Sequence, residues 1–129
     1  MARPTAVALV GRLVVDKVVQ KPVLDELMAR RNAVDALCVG LLTHPDDGAR
    51  ELCAELLGDM HSTKAVPPLI EALRDRSVHV RWDALRALSK LLYCEIGWWL
   101  RIEGYKSQPG MMHRRVSAWW KRNRSRVWW

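Results

Sequence analysis

The residues best suited to chemistry or contact lie at the end of the chain. Trp98-Trp99, Trp119-Trp120 and Trp128-Trp129 alternate there with Arg101, Arg114, Arg115, Lys121, Arg122, Arg124 and Arg126. Tryptophans interleaved with arginines stack on bases while the cations neutralise phosphate. The same pattern also docks at a membrane interface or in a groove of an acidic protein. A plainer use is as a terminal helix that buries its tryptophans against neighbouring apolar surface and leaves its cations in water. Burial and presentation are compatible on one helix, so Arg101, Arg114, Arg115, Trp119, Trp120, Lys121, Arg122 and Arg126 form the candidate binding surface.

Elsewhere the reactive residue types are scattered. His44, His61, His79 and His113 stand far apart in the sequence, at expected loops or helix ends, without the spacing a metal needs. Glu51, Glu55 and Glu71 are spaced as solvated helix faces, and the chain carries no Gly-rich phosphate loop, GxSxG or HExxH. Cys38, Cys53 and Cys94 form an odd, widely spaced set with no CxxC pair, which indicates neither a disulfide framework nor structural zinc. Cys38 and Cys53 fall at apolar helix positions and are expected to pack as small hydrophobes, with a reducing cytoplasm as the natural setting. No catalytic centre, cofactor or metal site is expected.

With 129 residues, one domain is the default. Half the residues are apolar, rich in Leu, Val and Ala with no Phe, which suits close-packed helices and gives an all-α expectation. The formal charge of +7 is unevenly placed. Lys and Arg number six against four acids in residues 1–43, seven against eight in 44–92, and eight against two in 93–129. Six of the seven tryptophans lie beyond position 97, so a repeat-like body over 1–92 is distinguished from a Trp/Arg-rich segment over 93–129. Gly11-Arg12 interrupts the apolar run at Ala6–Val10 before it reaches signal-peptide length. No apolar stretch approaches the roughly 20 residues of a membrane span, and a soluble protein is expected.

Residues 5–20 place Val7, Val10, Leu13, Val14 and Val18 on one side at helical spacing, predicting a helix, although the Val-Val pairs also suit a strand. Pro22 fits the first turn of a second helix with Leu24, Leu27 and Met28 inward. Asn32 is placed to cap a third over 33–43, the alternative being that the two run on as one helix. Asp46 caps a helix over about 47–60, Pro67 and Pro68 enter the first turn of the next, and 78–92 forms another. Its apolar side comprises Val80, Ala84, Leu85, Leu88, Leu91 and Leu92. Tyr93–Leu100 extends that helix, 103–110 reads as a loop, and Met111–Trp128 reads as a basic final helix.

From His44 to Leu92 the pattern repeats with a period of about 31 residues, within the range of solenoid arrays. Arg50 falls on Arg81, Ala49 on Val80, Cys53 on Ala84, Leu56 on Ala87, Leu57 on Leu88 and Met60 on Leu91. Asp46 falls on Ser77, both able to cap. The same shift sets Cys38, Val39 and Leu42 on Leu69, Ile70 and Leu73, so 33–43 reads as the second helix of a degenerate first repeat.

These residues resemble HEAT repeats of the short bacterial, phycobilisome-lyase type. The resemblance rests on Gly48-Ala49-Arg50 and His79-Val80-Arg81, Leu56-Leu57-Gly58, Ala65-Val66-Pro67-Pro68-Leu69 and Leu73-Arg74-Asp75. Ser89 stands where the second copy should carry Gly, and Trp82 where a small or charged residue is usual. The resemblance covers about a third of the chain. It implies a short α-solenoid of antiparallel helix pairs, about two to three repeats with a terminal capping helix, and a binding or scaffold role without catalysis. Arg50 and Arg81 then support neighbouring helix ends or an acid among Asp47, Asp75 and Asp83.

Three functions follow in order. The first is a protein-interaction module, with self-association expected because so few repeats leave a core to complete. The second is nucleic-acid binding through the basic segment. The third is a subunit of a lyase- or glycosylase-like enzyme, which requires a carboxylate and a tryptophan, such as Asp83 beside Trp82, facing a basic concavity.

Overall fold

The computed structural model describes residues 3–92 and 109–125. Helix α1 (Ala6–Gly11) begins at Thr5, whose side chain accepts the Ala8 N–H at 3.1 Å. The predicted helix stops there. Val14–Val15 (β1) and Val18–Val19 (β2) instead form an antiparallel hairpin, paired Val14 with Val19 and Val15 with Val18. Asp16 and Lys17 take φ values of 49° and 66°, both positive as the two-residue hairpin turn requires. β-Branched valines lose side-chain freedom in a helix and lose little in a strand, so the Val-Val pairs decide the conformation. The expected apolar stripe is overturned with it: Val10 and Leu13 are buried, while Val7 and Val18 are half or more exposed.

Helix α2 (Lys21–Met28) carries Pro22 in its first turn and buries Leu27; Leu24 is half-buried and Met28 is exposed rather than inward. Helix α3 (Ala33–Thr43) follows. Asn32 occupies its cap position, but its side chain makes no capping bond.

Helices α4 (Asp47–Asp59) and α6 (Val78–Leu91) begin 31 residues apart, as the period predicts. Asp46 caps α4 through the Ala49 N–H at 2.9 Å, and Ser77 caps α6 through the Val80 N–H at 3.5 Å. Ala49 and Val80, Cys53 and Ala84, and Leu57 and Leu88 are pairwise fully buried. Between them, a 3₁₀ turn (Thr63–Ala65) leads into α5 (Val66–Ala72), with Pro67 and Pro68 in its first turn.

The helices form two rows. α4 lies against α6, while α3 lies against α5 and α5 against α7 (Pro109–Asn123), with α1 on the far side of α3. Short connections fold α3 back on α4 and α5 back on α6. α7 shares the one core of the body: Met112 and Val116 are buried within it, and Trp119 and Trp120 pack at its edge. It covers the end of the α5 row as a capping helix.

α4 and α6 approach most closely at Gly58, where an added Cβ would stand 2.9 Å from both Cα and Cβ of Ala87. Ser89, at the position equivalent to Gly58, is buried and donates its hydroxyl to the Leu85 carbonyl at 2.9 Å. A serine is accommodated there because it satisfies its own helix.

The expected match between α3 and α5 is corrected in one respect. Val39 and Leu42 are 44% and 48% exposed, whereas Ile70 and Leu73 are buried. α3 ends on an i→i+4 bond from His44 N–H to the Gly40 carbonyl. α5 tightens through three i→i+3 bonds, from Leu73, Arg74 and Asp75 N–H to Ile70, Glu71 and Ala72 carbonyls. The buried residues Ala33, Leu37, Gly40 and Leu41 correspond to buried Ala65, Leu69, Ala72 and Leu73 at an interval of 32, so the register slips by one residue between these two helices. Among the described residues no helix is long and apolar enough to cross a membrane.

Candidate functional site

The recurring arginines meet at one acid. Arg50, 3% exposed, sets its guanidinium edge on the Asp75 carboxylate, Nε to Oδ2 at 3.1 Å and Nη2 to Oδ1 at 3.2 Å. Its Nη1 donates to the carbonyls of His44 at 2.8 Å and Pro45 at 3.2 Å. Arg81 donates its Nη1 to the backbone carbonyl of Asp75 at 2.8 Å. Asp75 Oδ1 also accepts the Ser77 N–H at 2.9 Å.

Asp46, Arg50, Asp75, Ser77 and Arg81 thus form one polar seam that ties the α3–α4 turn to the α5–α6 turn. The planar fork of arginine matches a carboxylate edge while its third nitrogen reaches carbonyls, which an ammonium cannot do. Of the acids expected as partners, Asp75 takes this place; Asp83 pairs with Arg86 at 3.5 Å. His44, one period before Asp75, accepts the Asp46 N–H on Nδ1 at 3.0 Å, as Asp75 accepts that of Ser77. Two different residue types hold the same turn, and an identity-based comparison misses this.

The final helix gathers most of the other candidates. Arg114, Arg115, Lys121 and Arg122 are exposed on α7, and Trp119 and Trp120 are half-buried beside the core. Arg101 and Arg126, with Trp98, Trp99, Trp128, Trp129 and Cys94, lie outside the described residues, as does the predicted extension over Tyr93–Leu100. α7 contains no Asp or Glu. One polar tie to the body is His113, whose Nε2 lies 3.1 Å from Glu71 Oε2 on α5. Glu71 also accepts from Arg74, and hydrogen bonds from Arg74 and His113 hold its carboxyl below the usual range despite some desolvation. Sequence reasoning missed the Glu71–His113 contact, since nothing local links residues 42 apart.

Between α5 and α7 opens a groove of about 560 Å³, with Pro67, Ile70, Ala118 and Trp120 along it and Arg114 and Lys121 at its sides. On α4 and α6, Glu51, Glu55 and Asp83 lie close enough for each glutamate to repel the aspartate. Partial burial raises the Glu51 carboxyl, with Asp83 adding repulsion, and burial raises that of Asp83, with Glu55 opposing its ionisation. Trp82, 44% exposed, stands edge-on to His79 at 5.6 Å. Among the described residues Asp83 stands near Glu51, Glu55, His79 and Arg86. The Cys53 thiol is pushed up to about 12 by burial, and that of Cys38 to about 11 by burial and then by Asp35, so both stay protonated and packed. Among the described residues no cluster of His, Cys, Asp and Glu is arranged to hold a metal ion.

Paired helices in two rows, stitched at successive turns by equivalent arginines, define a small all-α helical-repeat protein. Residues 34–95 match the family model described as HEAT repeats, and the paired helices described within that stretch are similar to such repeats. No curated protein and no solved structure matches the chain significantly.

Proposed function

We propose that this chain is a non-catalytic interaction module that binds another protein on the surface of its stacked helices. The observation that carries this reading is the seam centred on Asp75, a bidentate pair within the stretch that matches HEAT repeats. It fixes the helix pairs as a rigid platform, and rigid platforms bind with little loss of conformational freedom. We read the array as the short, phycobilisome-lyase-type kind on the Gly48-Ala49-Arg50 and His79-Val80-Arg81 helix starts. Exposed Val15, Val18, Val19, Val39 and Leu42 also support self-association, for which light scattering should give a mass that rises with concentration.

Affinity capture from the native cell extract, with and without nuclease, tests the reading. Stoichiometric protein that survives nuclease supports it, and recovery of nucleic acid alone contradicts it. The second reading, nucleic-acid binding, is favoured by Arg114, Arg115, Lys121 and Arg122 exposed on an acid-free helix. It predicts affinity for single strands that falls steeply with salt and drops when Arg114, Arg115 and Arg122 become Ala.

A further inference from the structure

The groove between α5 and α7 has a chemistry that specifies its occupant. Along one face of α7 run Arg114, Ser117, Ala118 and Lys121, at i, i+3, i+4 and i+7. Small side chains in the middle make a saddle, and cations stand at both ends, two helical turns or about 10 Å apart. Below the saddle lie Ile70 and Pro67 of α5, and Trp120 contributes a flat apolar wall. Among the described residues neither Arg114 nor Lys121 meets a carboxylate, and the nearby acid, Glu71, is taken by Arg74 and His113.

We propose that this saddle binds an acidic amphipathic helical segment of a partner protein, with two carboxylates about seven residues apart and an apolar pair between them. The inference rests on the protein-binding reading above and names the partner's chemistry. A helix laid along α7 sets its carboxylates on Arg114 and Lys121 and lowers the apolar pair onto Ala118, Ile70 and Trp120. Each part of the site then meets its complement: the cations are neutralised and the apolar floor leaves water. A single strand matches the cations and stacks a base on Trp120 but brings no aliphatic side chain to Pro67, Ile70 and Ala118, so the floor favours a peptide over a nucleic acid.

A random 16-residue peptide library displayed on phage is selected against the full chain, and enriched peptides are then measured by fluorescence anisotropy. Two surface variants serve as controls: Ala118→Trp, which fills the saddle, and the pair Arg114→Glu with Lys121→Glu. Circular dichroism melts establish that both fold. Enriched peptides should carry acids seven apart around an apolar pair, and each variant should weaken them about tenfold or more. Peptides of unrelated pattern, affinity indifferent to both variants, or no enrichment would overturn the proposal. So would a 30-nucleotide single strand that binds more tightly than the peptides at equal salt. Peptides that bind but ignore both variants remove the saddle and leave the interaction module standing; failure of peptides and of extract capture together removes both.

Discussion

Replacing Arg50 with Met removes every side-chain donor that Arg50 brings to the seam while keeping most of the side chain's volume. The change leaves the Asp75 carboxylate, 13% exposed in its side chain, with the Ser77 N–H as its remaining bond in the seam. It also strips two carbonyls, those of His44 and Pro45, of their donor. Breaking a buried ion pair by deleting one partner typically costs 3–5 kcal/mol; the residual exposure of Asp75 puts this case near the bottom, at about 3 kcal/mol. For a chain of this size that lowers Tm by about 10 °C. Arg81→Met is the internal control. It loses one bond to a carbonyl from a half-exposed side chain, worth about 1 kcal/mol. Urea titrations of wild type, both single variants and Arg50→Met with Asp75→Leu give the energies directly. The double variant should recover part of the loss, because no unpaired charge remains. A loss below about 1 kcal/mol for Arg50→Met, or one equal to that of Arg81→Met, refutes the seam as the tie between the two turns.

Gly58→Ala drives a methyl into the Ala87 backbone and should lower stability by about 1–3 kcal/mol in the same titration, whereas Ser89→Ala should be mild. Val116→Ala opens a gap beneath α7 and should cost about 2 kcal/mol in thermal melts if the helix belongs to the core. The pH dependence has two opposed parts. Glu71 has a lowered folded value, so its contribution is present above the unfolded carboxylate range and is lost as pH falls through the folded value. Glu71→Gln should therefore flatten the acid limb of a Tm–pH profile. Asp83 has a raised folded value, so the folded state holds its proton more tightly and its ionisation opposes folding at neutral pH. Asp83→Asn should raise Tm at pH 7, with the gain shrinking as pH falls into the carboxylate range.

Much of this architecture was legible in the order of residues. Apolar spacing placed α3 through α6, and cap chemistry placed their starts at Asp46 and Ser77, because both signals are local. The hairpin at Val14–Val19 went the other way, where helical spacing and β-branched pairs conflict and the turn at Asp16 and Lys17 decides. The equivalence of Arg50 and Arg81 was visible, but their convergence on Asp75 was not, since one binds its carboxylate and the other its carbonyl. For the candidate surface, sequence named Arg114, Trp120 and Lys121 yet could not supply Ile70 or Pro67, which come to the groove only by packing across a long interval of chain.

Native-state hydrogen exchange tests the central claim most directly, that α7 completes the helix rows as one cooperative stack. Amides of Cys53, Leu57, Ile70, Leu88 and Val116 should exchange through a single opening, with a free energy equal to that of global unfolding, and Arg50→Met should lower all of them together. Fast exchange at Val116 beside protected α4 and α6, or separate opening energies for α4 and α6, would contradict it.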